Sequence, residues 1–254
     1  MSQKKRLVIG NWKMKLSYKE SLDLAQSLVE GFKGRDDLEV VVCPCYVALP
    51  DVAQILSGST YRLGAQDAFY HEAGSYTGEV SPEVLREVGC EFVVVGHSER
   101  RKYTGETDED VNRKIKASLD NNLIPIMCVG ETLDERREEL TDLTIVRQVT
   151  KGLEDIKFEK GQRLIVAYEP VWAISPAPSA RPEDVKEVMQ IIHSLLRDFF
   201  EPDVLEESIS LIYGGSVDAK DANGFMNELC EGVIVGAESL KSKNFIDILK
   251  NIKF

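Results

Sequence analysis

"LIVAYEPVWAISPAPSARPEDVKEVMQIIHSLLRDF", residues 164 to 199, holds one complete unit of the fold. Its first seven residues form an apolar, β-rich run that ends on a carboxylate, Glu169, and on Pro170. A short connection follows, with Trp172 and with Pro176 and Pro178 separated by one alanine. "RPED" then places Pro182 at a first helical position with acids in the first turn, a helix-start signal. Beyond it Val185, Val188, Met189, Ile192, Leu195, Leu196 and Phe199 recur at helical spacing and make one apolar stripe. The order is strand, loop, helix.

The same order recurs along the chain. Working outward, the apolar runs are "LVIGNW", "VVVCPC", "YRLGAQ", "FVVVGH", "IPIMCVG", "LIVAYEP", "SLIYGGS" and "GVIVGAES", eight in all. Most are continuous rather than alternating, as parallel strands buried on both faces require. Each precedes a segment with helical period. One unit earlier than the quoted stretch, Leu140, Leu143, Val146, Val149, Leu153 and Ile156 read as the apolar stripe. "SPEV" at 81–84 is a second proline-marked helix start. No linker or low-complexity segment interrupts the series. Eight strand–helix units in 254 residues predict an α/β fold, a closed (β/α)8 barrel of eight parallel strands, as a single domain over 1–254. The alternative is an open doubly wound sheet, whose usual G-x-G-x-x-G is missing after the first run.

Composition narrows the function. The chain is 43% hydrophobic and 29% charged, enough to bury a large core, and its net charge is −12. That excess of acid argues against nucleic acid or an anionic membrane as general partners, because a surface that binds phosphate backbones needs surplus cation. No apolar run is long enough for a signal sequence or a membrane span, so a cytoplasmic location is expected. Five cysteines without framework spacing read as reduced, mostly buried thiols. Cys43 and Cys45 have no second Cys or His pair nearby, so packing is favoured over a metal centre.

In a barrel of this kind active sites form at the C-terminal ends of the strands. Reading only those positions collects Asn11 and Lys13 after the first strand, His97 and Glu99 after the fourth, and Glu169 after the sixth. Cation, imidazole and carboxylate together make a proton-transfer set. "YGGS" after the seventh strand and "VGAES" after the eighth read as small-residue turns opening helices, where N–H groups and the helix dipole favour an anion. His193 beside an apolar stripe reads as structural, His71 stays unassigned, Cys128 reads as a packing residue, and "DERREEL" as a solvated helix face. Trp12 and Trp172 are expected to pack at the barrel mouth and the base of a lid.

"GNWKM", "GHSERR", "IPIMCVGETLDER", "AYEPVWAI" and "YGGSV", in order from Gly10 to Leu240, resemble the triosephosphate isomerase family, whose fold is the TIM barrel. The resemblance implies interconversion of dihydroxyacetone phosphate and D-glyceraldehyde 3-phosphate in glycolysis and gluconeogenesis, with no metal or organic cofactor. It implies Glu169 as the base and His97 as a neutral electrophile at a helix N-terminus, an established pairing in that family. Burial is expected to raise the basicity of Glu169. Lys13 and Asn11 would stabilise the enediolate and Glu99 would partner Lys13. Ser175, Ser216, Gly236 and Ala237 would offer groups to the phosphate. Lid closure would bring Ala177 to Ser216 and Ala180 to Tyr213, and would press Ile174 and Ile234 onto Glu169 above Trp172. A homodimer is implied, with Thr77 of one subunit near Asn11 and Lys13 of the other.

Three departures from the family pattern stand out. Lys15 replaces the usual Asn after "NWKM". The lid reads Ser175, Pro176, Ala177, Pro178 in place of Gly-Thr-Gly-Lys, which should stiffen it. Glu238 brings a like charge near the expected phosphate. Two rivals remain. A barrel acting on a larger sugar phosphate would share the two turns without needing Asn11, Lys13, His97 and Glu169. A non-catalytic descendant commonly loses the base or the electrophile, and here both are present.

Overall fold

The computed structural model describes residues 4–174 and 180–253. The eight apolar runs become eight strands: β1 Arg6–Asn11, β2 Leu38–Cys43, β3 Tyr61–Ala65, β4 Phe92–Val95, β5 Ile124–Val129, β6 Leu164–Tyr168, β7 Ile209–Tyr213 and β8 Gly232–Val235. All pairs are parallel, and they close in sequence order into a barrel. The seam runs from Leu7↔Gly232 to Gly10↔Val235. Gly232 is required there, because a Cβ would overlap the Leu7 carbonyl. An open sheet is thereby excluded.

The period of two along each strand sorts the side chains into two cores. Leu7, Ile9, Val41, Phe92, Val94, Ile126, Ile165 and Ile212 fill the barrel interior. Their strand neighbours Val8, Val40, Val42, Val93, Val95, Met127, Val166 and Leu211 face outward onto the helices. Both sets are buried, which is why the runs read as continuous.

The proline-marked starts hold. Helix Pro82–Val88 opens on Ser81, whose hydroxyl accepts from the Val84 N–H, and closes on Gly89 at φ +103°. Helix Pro182–Phe199 buries Val185, Val188, Met189, Ile192 and Leu196 as the stripe requires. Phe199 lies at the exposed edge.

The preceding stripe is corrected in part: Val149, Leu153 and Ile156 are buried as expected. Helix Thr141–Gly152 buries Thr144, Ile145, Gln148, Val149 and Gly152, while Leu143 is 67% exposed and Val146 38% exposed. The reason is polar. Gln148 turns inward to hold Gly130 from both sides, accepting its N–H at 2.7 Å and donating to its carbonyl at 3.1 Å. The buried face keeps Val149 but takes Ile145 and Gln148 in place of Leu143 and Val146. Ile145→Ala is therefore expected to cost about 2–5 kcal/mol in urea unfolding, and Leu143→Ala no more than about 0.5 kcal/mol.

Candidate active site

β1 ends on Asn11, and the chain leaves it through Lys13 at φ +52°, a left-handed conformation rare for a side chain of this size. Two contacts hold it there. Asn11 Oδ1 accepts the Lys13 N–H at 3.1 Å, and Gln66 donates to the carbonyls of Lys13 and Cys43, each at 2.9 Å. Lys13 Nζ then pairs with Glu99 at 2.9 Å, the partner expected for it.

β4 stops at Val95 because Gly96 turns at φ +71°. Its N–H donates to buried Glu106 at 3.0 Å, and its carbonyl accepts from Arg101 at 2.8 Å. The turn delivers His97 as the N-cap of helix Ser98–Thr104. His97 Nδ1 accepts the Glu99 N–H at 3.1 Å. A nitrogen that accepts an N–H carries a lone pair, so this ring is neutral with its proton on Nε2.

That Nε2 lies 2.8 Å from Glu169 Oε1. Glu169 follows β6, and its N–H continues the ladder to the Val129 carbonyl at 2.7 Å. The neighbouring strand makes room through Gly130, where a Cβ would overlap the Glu169 carbonyl. Glu169 Oε2 accepts the Ser98 N–H at 2.9 Å. Burial raises its pKa; the strongest opposing influence, ahead of the hydrogen bonds from His97 and Ser98 and the Lys13 charge, would be a positive charge on His97, which the neutral ring lacks. In this arrangement the two hydrogen bonds oppose the rise in basicity expected from burial.

These groups open into one cavity of about 510 Å³, lined by Asn11, Lys13, His97 and Glu169 with Ile174, Ile234, Ser216, Gly236 and Ala237. A model of the family described as triosephosphate isomerase matches residues 6–252. The chain belongs to the triosephosphate isomerase family. It is 40% identical over 247 residues to the triosephosphate isomerase of Clostridium tetani, covering 97% of this chain and 96% of that one. It is 38% identical over 250 residues to that of Dictyoglomus thermophilum, covering 98% and 100%. With that of Alkaliphilus oremlandii it shares 40% over 247 residues, covering 97% and 99%.

Residues expected from the family resemblance are placed as follows. Ser216 gives both its N–H, at 3.3 Å, and its hydroxyl, at 3.1 Å, to the carbonyl of Ala173 in the turn Val171–Ala173 after β6. Tyr213 Oη is buried, and the Ala180 backbone approaches it without completing a hydrogen bond. Ser175 and Ala177 lie outside the described residues. Gly236 and Ala237 lead directly into a short 3-10 helix, Ala237–Leu240. The turn after β7 differs from expectation: residues 217–221 separate it from the next helical turn, Ala222–Phe225, so it does not open a helix. Cys128 is a buried thiol whose pKa burial drives upward, consistent with packing.

Sequence reading missed four polar residues that hold the site. Gln66, Glu106 and Gln148 act as described above. The fourth is Glu131, fully buried, which accepts from Trp172 Nε1 at 2.7 Å and from Tyr168 Oη at 3.2 Å, and receives Arg136 at 3.3 Å. Arg136 corrects the reading of "DERREEL" as solvent-facing throughout. Its guanidinium lies 4.2 Å from the Trp172 ring centroid and also pairs with Asp184 at 3.2 Å. The short turn Val171–Ala173 after β6 is thus tied to the loop after β5.

Proposed function

We propose that the chain interconverts dihydroxyacetone phosphate and D-glyceraldehyde 3-phosphate through an enediolate. Glu169 is the base, neutral His97 the electrophile, Lys13 the positive charge and Asn11 a hydrogen-bond donor to the developing oxyanion. No metal or organic cofactor takes part. The observation that carries the reading is the 2.8 Å approach of Glu169 Oε1 to the protonated Nε2 of His97 in a cavity shared with Lys13.

Moving a carbonyl to the next carbon needs a base that takes one C–H proton and returns it to the neighbour. One carboxylate on one face of the substrate does both. For that, Glu169 must leave Ser98 and His97, which frees Nε2–H for the substrate oxygens. Losing those two hydrogen bonds removes what now opposes the effect of burial. Ile174 and Ile234 then cover it with apolar surface, and its basicity rises. The phosphate takes N–H groups from Ser216, Gly236, Ala237 and, once the lid closes, Ser175. Ser216 must release the Ala173 carbonyl to do so, which couples phosphate binding to movement at the foot of the lid. The purified protein given D-glyceraldehyde 3-phosphate in a coupled assay should turn over rapidly; no turnover would reject the reading.

The active form is a homodimer of single-domain subunits, and five free thiols suit the cytoplasm. Support for the dimer comes from exposed Met14, Val47, Tyr76 and Tyr103, which follow β1, β2, β3 and β4 in turn. Four adjacent strands put that apolar set on one side of the barrel. Tyr76 carries Thr77 with it, at the tip of a loop that reaches toward Asn11 and Lys13 of the partner subunit. Tyr76→Asp is expected to shift light scattering from dimer to monomer at micromolar concentration and to lower activity together with it. A fully active monomer would exclude the shared site.

A further inference from the structure

We infer that Asn244 is a positioning residue for the anion site, fixing the Glu238 carboxylate at the cavity wall so that it does not turn onto the substrate phosphate; the inference rests on the triose phosphate reading above. The cavity lining is unusual for an anionic substrate. It carries two lysines, Lys13 and Lys15, against five carboxylates, Glu99, Glu169, Asp218, Asp221 and Glu238. Such a lining admits a phosphate only if each negative charge is held in place.

Four of the five are held by a cation, a catalytic partner or the backbone. Glu99 faces Lys13 at 2.9 Å. Glu169 is bound to His97 and the Ser98 N–H. Asp218 Oδ1 accepts the N–H groups of Lys220 at 2.6 Å and Asp221 at 3.1 Å. Asp221 Oδ1 accepts the Asp218 N–H at 2.7 Å.

Glu238 is different. It directly follows Gly236 and Ala237, the residues that offer N–H groups to the phosphate. Its Oε2 accepts from Asn244 Nδ2 at 2.7 Å, and Asn244 lies in the first turn of another element, helix Ser242–Asn251. The tether is a neutral amide, so it fixes the direction of the carboxylate without cancelling its charge. A freed glutamate has three rotatable bonds and turns freely over the cavity that it already lines. There a like charge a few ångströms from phosphate, at a partly solvated rim, changes binding by about 3- to 10-fold.

The test is a cycle of Asn244→Ala, Glu238→Gln and the double variant. KM for D-glyceraldehyde 3-phosphate and competitive inhibition by inorganic phosphate are measured at low and high ionic strength. Asn244→Ala is expected to raise both KM and the phosphate inhibition constant about 3- to 10-fold, with kcat changed no more than about 2-fold. The effect should shrink at high salt and vanish in the Glu238→Gln background. If Asn244→Ala folds poorly, Asn244→Ser replaces it in the same cycle with the same expectation. Unchanged KM and inhibition constant, an effect that persists without the Glu238 charge, or an effect insensitive to salt would each overturn the inference. Wild-type protein that does not isomerise the triose phosphate rejects the functional reading itself, which separates the two failures.

Discussion

Glu169→Gln is expected to keep the barrel and lower kcat by about 10³-fold or more, while inorganic phosphate still competes with nearly wild-type affinity. The amide is nearly isosteric with the carboxylate but does not accept a proton from carbon. In the structure both carboxylate oxygens face donors, His97 Nε2 and the Ser98 N–H. The amide oxygen keeps one of these bonds and the NH2 group opposes the other, a stability cost of about 1–2 kcal/mol. Thermal melts then separate the small structural loss from the large catalytic one. Turnover close to wild type would remove Glu169 from the role of base.

Lys114→Met is expected to cost about 3–5 kcal/mol in urea unfolding at pH 7.5, measured at fixed protein concentration. Lys114 is buried, with Nζ at 2.7 and 2.9 Å from the two oxygens of Asp67 and 3.4 Å from Glu106. Arg100 reaches the same carboxylates at 2.9 and 2.6 Å. Methionine fills the volume of the stem but leaves two buried carboxylates sharing one cation. Burial pushes the Asp67 pKa up to about 6, with Lys114 opposing that rise and Glu106 adding to it. A folded pKa above the unfolded one means that the native state binds the extra proton. Stability therefore falls as pH rises through roughly 4 to 6, and removing Lys114 extends this window upward. The deficit of the variant should be smaller at pH 5 than at pH 7.5. Activity falls with it, because Glu106 also anchors the Gly96 turn that presents His97. Equal deficits at both pH values would show that packing, not charge, is what Lys114 supplies.

The strands were legible because each is a local apolar run, and a strand buried on both faces needs nothing else. Their ends were less so. "FVVVGH" and "LIVAYEP" run past the observed ends of β4 and β6, where Gly96 turns and where Glu169 and Pro170 leave the strand. The helix after β5 misled for the opposite reason. Leu143 and Val146 carry the apolar signal, yet Gln148 takes the inward face because Gly130, 18 residues away, needs both its backbone groups satisfied. Glu131 and Gln66 were invisible because their main partners are remote in sequence; Glu106, whose partners Gly96, Arg100 and Lys114 lie within ten residues, was missed because a lone polar residue carries no periodic signal.

By itself, then, the sequence determined the order of strands and helices and the residue types gathered at the strand ends. These properties depend on neighbours along the chain. Tertiary structure alone decided the states of those residues. It placed the His97 proton on Nε2 by giving Nδ1 the Glu99 N–H, set donors from His97 and Ser98 against the rise that burial imposes on the Glu169 pKa, and turned Glu238 onto Asn244. Protonation and direction follow from distances between atoms in the folded chain, short-range for His97 with Glu99 and Glu238 with Asn244, long-range for Glu169 with His97 and Ser98, and hydrogen bonds and charges act through space.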